Sequence, residues 1–416
     1  MKVQPSRSPL RGKVRIPGDK SITIRALFLG LLLPVRVVGG SIGKDARSAL
    51  SAVRILGARV QTGRQGLRIW PGASPTGESR IHAGNSGTTA RFCLGWAAGG
   101  KEPVWVEGDK SLLSRKVGRL NEDIRHWGGQ AGGTKGCFPA FACGPVQGPF
   151  RASIIPGSGT RKGALLLAAV RSGASISWKE DPLSRDHTER LFAAAGCWPR
   201  VEGSRSEPYW AEIPPDPSAF AVLATAAAMI PRSKIGGKVL TNLRRTGLLR
   251  FLGKAGITVK HNREEVWPEL VGRVQVEHPG ELPQGDLIVE GQDLMDMIDE
   301  VPLAAVFATT RRGTTRFRTG GLLRNKESDR LEGTADLITT LGGNALIEGE
   351  DLVVKGSPGS LKGGKVDTRA DHRLVLAAAV AGIGSDEGVD LSENEWGGIA
   401  FPGWQEALEG VGVLFS

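Results

Sequence analysis

Five times along this chain a helix-like stretch runs into a glycine and then a short apolar or β-branched run: "LSAVRILGARV", "LNEDIRHWGGQ", "RLFAAAGCW", "LLRFLGKAGITV" and "ADLITTLGGNALI". Each has the signature of a helix, a glycine turn at its C-terminus, and a following strand. Repetition of one supersecondary unit constrains the chain to an α/β architecture built from repeats. Its 416 residues are enough for two or more domains with cores of their own.

The starts of helices repeat as well. "VRIPGDKSITIRALFLG", "VWVEGDKSLLSRKVGRL" and "EIPPDPSAFAVLATAAA" each run strand, tight turn, Asp, Ser, helix. Asp and Ser cap helices and Gly suits the turn. Capping accounts fully for the third copy, which has Pro215 and Pro217 where the others have Gly and Lys, and which lacks the arginine. It does not account for Lys20 and Arg25, or for Lys110 and Arg115, in the first two. A lysine and an arginine at a helix start gather charge where free backbone N–H groups already favour anions. Ser and Arg four residues apart share one helix face. The first two copies therefore read as anion sites.

The net charge of +11 agrees with polyanionic partners. Many basic residues stand singly beside Gly, Ser and Thr, there is no polybasic tail, and the chain has one tyrosine. That distribution favours small anions over nucleic acid. The longest apolar run, 219–230, falls short of the roughly 18 residues of a membrane span. "MKVQPSRSPLRGKV" has no apolar core of a signal peptide. Cys93, Cys137, Cys143 and Cys197 lack metal-site spacing and read as reduced thiols of a cytoplasmic protein.

Other stretches concentrate polar chemistry. "HAGNSGTTARF" is a small-residue turn that lets backbone amides approach an anion. "SRDHTERLF" carries five ionisable residues before a helix, and "LLRNKESDRLEG" packs Arg324, Lys326, Glu327, Asp329 and Arg330 into seven positions. As isolated features these also suit a charged first turn and a solvated helix face with ion pairs of little energy. "MIDEVP" and "RADHRLVLAAAV" set acid and base at the edge of apolar helices; His372 by itself reads as structural.

Taken together, "PGDKSITIRA", "GNSGTTAR", "GDKSLLSR", "SRDHTE", "DEVP", "KESDR" and "DHR" resemble the enolpyruvyl transferase family, in its shikimate branch. They occur in the family's order over about residues 12–405. The resemblance implies two lobes, each a threefold repeat of a β/α unit with its helices inside, an inside-out α/β barrel. It places 18–231 in one lobe and 1–17 with 232–416 in the other, with the two Gly-Asp-Lys-Ser turns at the cleft. The implied reaction joins phosphoenolpyruvate to the 5-hydroxyl of shikimate 3-phosphate and releases phosphate, with no metal or organic cofactor, and the expected state is a monomer.

Residue by residue, the resemblance assigns Lys20, Ser21 and Arg25 to shikimate 3-phosphate, with Lys20 shared. It assigns Gly87, Arg115, Arg330 and Arg373 to phosphoenolpyruvate, and Arg185 and Lys326 to the shikimate phosphate and ring. Asn85, Thr88, Ser158, Gly159 and Thr160 stand at further substrate-binding positions. Asp299 matches the base for the hydroxyl proton and Glu327 the group exchanging the methylene proton, with Lys20 beside them as a catalytic cation. Two departures stand out. Ser158-Gly159-Thr160 replaces Ser-Ser-Gln, whose glutamine touches both substrates, and Arg161 or Lys162 are the neighbours able to help the short Thr160. Ile399 stands where many members have a lysine. Two other readings fit part of the pattern: transfer to another acceptor such as a sugar nucleotide, disfavoured because no cysteine lies between Cys93 and Cys137, and an anion-binding homologue without turnover.

Overall fold

The computed structural model describes residues 1–198, 207–265, 268–392 and 394–416. They form two compact units: Gly18–Pro214 with a short stretch ending at Glu269, and Met1–Pro17 with the remainder of the chain from Pro215 to Ser416.

In the first unit one pattern recurs. Helix Lys20–Leu29 leads to strand Val35–Val38, helix Lys44–Ile55 and the hairpin Arg59–Gly63 with Gly66–Trp70. Helix Gly87–Ala98 leads to strand Val104–Glu107, helices Lys110–Ser114 and Arg119–His126, and the hairpin Gln130–Thr134 with Cys137–Cys143. Helix Gly159–Ser172 leads to strand Ile176–Glu180 and helix His187–Ala194. Each repeat contains a parallel strand pair, such as Ser79–His82 beside Val104–Glu107, in register Ser79 to Val104. In the first two repeats the hairpin extends this pair antiparallel.

The second unit uses the same parts. Strands Thr258–Glu265, Leu270–Glu277, Lys234–Leu240 and Arg11–Lys13 form one sheet, and Leu287–Val289, Gly313–Arg318, Asp351–Gly356 and Asn344–Glu348 another. Lys2–Val3, Val389–Asp390 and Gly364–Lys365 complete a small third. Helices Pro217–Met229, Val301–Ala308 and His372–Ile383 are buried at every residue and pack on one another. A helix buried on all sides must be apolar all round, which is why "PSAFAVLATAAAM" reads as a run without a face. Outer helices keep a stripe: Lys44–Ile55 buries Ala46, Ala49, Ala52 and Val53 and exposes Arg47, Ser51 and Arg54 on its other side.

The glycine units behave as read. Gly57, Gly128, Gly256 and Gly342 take positive φ between a helix and its strand. Gly196 turns in the same way after His187–Ala194, and the residues from 199 to 206 lie outside the described ones. Two expectations need correction. The chain crosses between units at 214/215, not at 231/232, because helix Pro217–Met229 belongs to the buried trio of the second unit. Residues 14–16 are not a strand; pairing ends at Lys13, beside Gly236, before the first Gly-Asp-Lys-Ser turn.

Gly95 shows how close the inner helices come. A Cβ there would lie 2.2 Å from the carbonyl oxygen of Ala164 and 2.8 Å from its Cα. In an ordinary helix interior, Gly to Ala is favourable by about 1 kcal/mol. Here Gly95→Ala should instead lower stability by roughly 1–3 kcal/mol, because two packed helices must separate. The urea midpoint measures this, and an unchanged or raised midpoint would show the contact to be soft.

Candidate active site

In the first unit the sequence motifs meet at helix N-termini. Asp19 is fully buried and caps helix Lys20–Leu29, accepting from Ile22 N at 2.7 Å. Lys20 Nζ lies 2.9 Å from Asp45 Oδ2, in the first turn of the neighbouring helix. Arg25 is 2% exposed and joins three motifs. Its Nη1 donates to Ser21 O at 2.8 Å, its Nε to Thr188 Oγ1 at 2.8 Å and its Nη2 to Gly159 O at 3.3 Å.

The second copy is wired differently. Asp109 caps the short helix Lys110–Ser114, accepting from Leu112 N, and its other oxygen accepts from Asn85 Nδ2 at 2.9 Å. Arg115 Nη2 donates to Asn85 Oδ1 at 2.8 Å and to Ser111 Oγ at 2.9 Å, while Nη1 donates to Asn85 O at 3.1 Å. The Ser–Arg spacing thus brings the two together in both copies. Lys110 is exposed, whereas Lys20 is not. Ser86 caps the helix that starts at Gly87 and continues through Thr88. A Cβ on Gly87 would stand 3.2 Å from Arg115 Nη1 and 3.0 Å from Arg91 Nη1.

At the unusual Ser158-Gly159-Thr160, Ser158 caps helix Gly159–Ser172 and lies 3.4 Å from Thr160 Oγ1. Neither neighbour replaces the missing glutamine. Arg161 forms a two-bond pair with Asp123, at 2.7 and 2.8 Å, and also donates to Ser153 O. Lys162 is buried against Glu180 at 2.8 Å and Glu189 at 2.7 Å. Arg185 is half-buried and its backbone lies against Gly159.

In the second unit a single guanidinium gathers the predicted acids. Arg330 is 1% exposed; its Nη1 lies 3.3 Å from Asp299 Oδ1 and its Nη2 2.5 Å from Glu327 Oε2. Its Nε and Nη2 reach Asp371 Oδ2 and Oδ1 at 2.8 and 3.2 Å. Lys326 Nζ lies 3.4 Å from the same oxygen of Asp299. Burial alone pulls Arg330 down, but Asp371, Glu327 and Asp299 together hold it above the ordinary arginine range. Burial alone pushes the Asp371 carboxyl up; Arg330 and His372 outweigh it and hold the group below the usual carboxylate range. Asp299 and Glu327 keep about a fifth of their side-chain surface open, at 19% and 20%. The guanidinium between them is closed to water.

Arg373 is 6% exposed and sits where Asp371 caps its helix, with Arg373 N donating to Asp371 Oδ1 at 2.8 Å. Its Nη1 is 3.6 Å from Glu300 Oε1, and its Nε meets no hydrogen-bond partner among the described residues. Glu300 accepts from Ser218 Oγ at 2.5 Å. Capping therefore does not exhaust the third helix start. Asp216 accepts from Ser218 N and also pairs with Arg245 Nη2 at 3.1 Å, so an arginine does stand there, supplied from later in the chain. Asp45 and Arg245 complete these clusters from outside every motif, while Glu300 and Asp371 lie within "DEVP" and "DHR" without having been given a role of their own. Ile399 is buried in the apolar core. Among the described residues no cluster of His, Cys, Asp or Glu could hold a metal, and no helix is long and apolar enough to cross a membrane.

Residues 5–408 match the family described as EPSP synthase (3-phosphoshikimate 1-carboxyvinyltransferase). A 3-phosphoshikimate 1-carboxyvinyltransferase of Afipia carboxidovorans is 33% identical over 442 residues, covering 98% of this chain and 96% of that one. One from Synechococcus sp. (strain JA-3-3Ab) is 35% identical over 437 residues, covering 98% and 95%. A solved EPSP synthase from Acinetobacter baumannii is similar with a TM-score of 0.80 at 25% identity, covering 100% of this chain and 99% of that one.

Asp371 is the deepest partner of Arg330, and Asp371→Ala leaves a buried cation short of its main counter-ion. The expected loss is about 3–5 kcal/mol at pH 7, read from the urea midpoint. The native carboxyl titrates below its ordinary value, so this contribution is complete above the unfolded value of about 4 and fades as pH falls through the native one. Wild-type and variant stabilities should converge in acid. An unshifted midpoint at pH 7 would mean that Glu327 and Asp299 suffice to hold Arg330.

Proposed function

The chain belongs to the EPSP synthase family, and from that we propose which of its residues carry the reaction. The enzyme transfers the enolpyruvyl group of phosphoenolpyruvate to shikimate 3-phosphate in the shikimate pathway and releases phosphate. The finer reading is of a cytoplasmic monomer whose partners are these two small anions.

The observation that carries the assignment is the sharing of buried Arg330 by Asp299 and Glu327. The reaction needs a proton taken from the 5-hydroxyl and another delivered to the enol methylene, and then the reverse traffic as phosphate leaves. Two carboxylates aimed by one fixed guanidinium suit this task, because neither has to reorganise during the reaction. Asp299 takes the hydroxyl proton as the oxygen attacks C2 of the enolpyruvyl group. Glu327 supplies the proton that turns the methylene into a methyl group. In the elimination step Glu327 takes a proton back from that methyl group, the double bond re-forms and the C–O bond to phosphate breaks.

The substrates bring phosphates and carboxylates that call for cations and N–H donors. Arg115, Arg330 and Arg373 hold phosphoenolpyruvate, with Gly87 leaving the space; the unmatched Nε of buried Arg373 supports this reading. Lys20, Ser21, Arg185 and Lys326 take shikimate 3-phosphate, and Arg25 fixes the backbone of Ser21 and Gly159 beside it. Asn85, Thr88, Ser158 and Thr160 line the same helix starts.

Phosphate release on mixing the two substrates tests the reading directly. Glu327→Gln and Asp299→Asn should each lower kcat by roughly 10²–10⁴-fold and leave shikimate 3-phosphate binding largely intact by calorimetry. Near-normal kcat in both variants would remove these carboxylates from the proton traffic. Gly87→Ala should raise KM for phosphoenolpyruvate more than KM for shikimate 3-phosphate, since the new methyl group crowds Arg115. Equal effects on the two would argue against that placement.

A further inference from the structure

We infer that Glu180, anchored by the buried ammonium of Lys162, is a positioning residue for Arg185 and thereby sets how tightly the acceptor phosphate is held. The inference rests on the assignment of Arg185 to shikimate 3-phosphate made above.

Lys162 stands two residues after Thr160 in helix Gly159–Ser172 and is only 2% exposed. Its Nζ is shared between Glu180 Oε2 at 2.8 Å and Glu189 Oε1 at 2.7 Å. The three residues come from three elements: helix Gly159–Ser172, the end of strand Ile176–Glu180, and helix His187–Ala194. Glu180 uses its other oxygen on the loop that follows. Oε1 accepts from Ser184 N at 3.1 Å and from the Ser184 hydroxyl. Arg185 is the next residue.

A second close approach lies at Arg185 itself. A Cβ on Gly159 would lie 2.9 Å from Arg185 O and 3.2 Å from Arg185 Cβ. The absence of a side chain at 159 is what lets the Arg185 backbone rest on the helix start. Asp186, one residue on, is held by Arg190 at 2.7 Å. Ser184, Arg185 and Asp186 are therefore each tied down, and the tie at Ser184 runs through Glu180 to Lys162.

A buried ion cluster is weak evidence for stability, since well-packed apolar side chains often do as well in its place. This cluster has two carboxylates for one ammonium, and burial pushes the Glu189 carboxyl up despite Lys162. What the arrangement does supply is direction. A carboxylate with one oxygen on a fixed ammonium and the other on a loop N–H and hydroxyl allows that loop one position.

The test is a double-mutant cycle on the dissociation constant of shikimate 3-phosphate, measured by calorimetry on the full-length enzyme. Glu180→Gln keeps the shape but weakens the charged bonds, and should raise Kd and KM for shikimate 3-phosphate roughly tenfold, the loss of one charged hydrogen bond, with kcat little changed. Lys162→Met should move the same quantities in the same direction. In an Arg185→Ala background, Glu180→Gln should add nothing further. A purely structural role would leave the two effects additive, or would lower kcat and stability together, and either result overturns the inference. Should Glu180→Gln fail to fold, Ser184→Ala removes only the loop hydroxyl and must show the same non-additivity. An Arg185→Ala variant with unchanged Kd would refute the assignment of Arg185, and the inference with it. A weakened Arg185→Ala beside an unaffected Glu180→Gln would refute the inference alone.

Discussion

A helix packed into a core cannot leave its first N–H groups to water, and six largely buried helices, three of them buried at every residue, set the terms for this protein. Each starts with unpaired donors that must be met by side chains or left for a ligand. Asp19, Ser86, Ser158, Asp216 and Asp371 cap five of them. The sixth, Val301–Ala308, follows Glu300 without a side-chain cap and carries Pro302 in its first turn, which removes one donor outright. Every motif that looked functional in the sequence lies at one of these starts or packs against one. Burying the helices makes the two units fold, and the same burial concentrates oriented donors and positive potential at their ends.

The side chains around those ends have to be held without water, and buried arginines do this. Arg25 and Arg330 are among the largest fully buried side chains of the molecule. Arg25 is satisfied chiefly by backbone carbonyls and a hydroxyl, so it acts as a strut between motifs. Arg330 is satisfied by three carboxylates, so it fixes charge. Its planar fork meets several acceptors in set directions, which a lysine could not do. The most buried carboxylate, Asp371, neutralises it and caps the next helix. The other two, Asp299 and Glu327, stay partly open to solvent.

The sequence is most legible where a site is contiguous. Gly-Asp-Lys-Ser followed four residues later by arginine places cap, cation and partner within one helical turn, and the geometry follows from helix spacing alone. The repeated glycine turns likewise announce the architecture, because only a few local conformations join a helix to the next strand so briefly. What stays hidden is pairing across long stretches of chain. Arg245 reaches Asp216 from 29 residues away, Glu300 reaches Ser218 from 82, and no local spacing distinguishes these from solvated charges. The domain crossing at 214/215 escaped for a related reason. The apolar run 219–230 looks the same whichever unit encloses it.

The replacement of Ser-Ser-Gln by Ser158-Gly159-Thr160 shows how a local loss is absorbed by the surroundings. The neighbouring cations look in sequence like substitutes for the glutamine, yet Arg161 is held by Asp123 and Lys162 by Glu180 and Glu189. Their charge goes into fixing the helix start. Glycine at 159 gives up a side chain and gains a close backbone approach to Arg185. A flexible amide reaching toward the substrates is thus replaced by a shorter, stiffer wall with an arginine set directly on it. Ordering a long side chain on binding costs roughly 0.5–1.5 kcal/mol, and a wall already in place avoids that cost. On this argument the departure at Thr160 is compatible with the family's reaction, because the contact it removes weakens binding and the ordering cost it avoids offsets part of that loss.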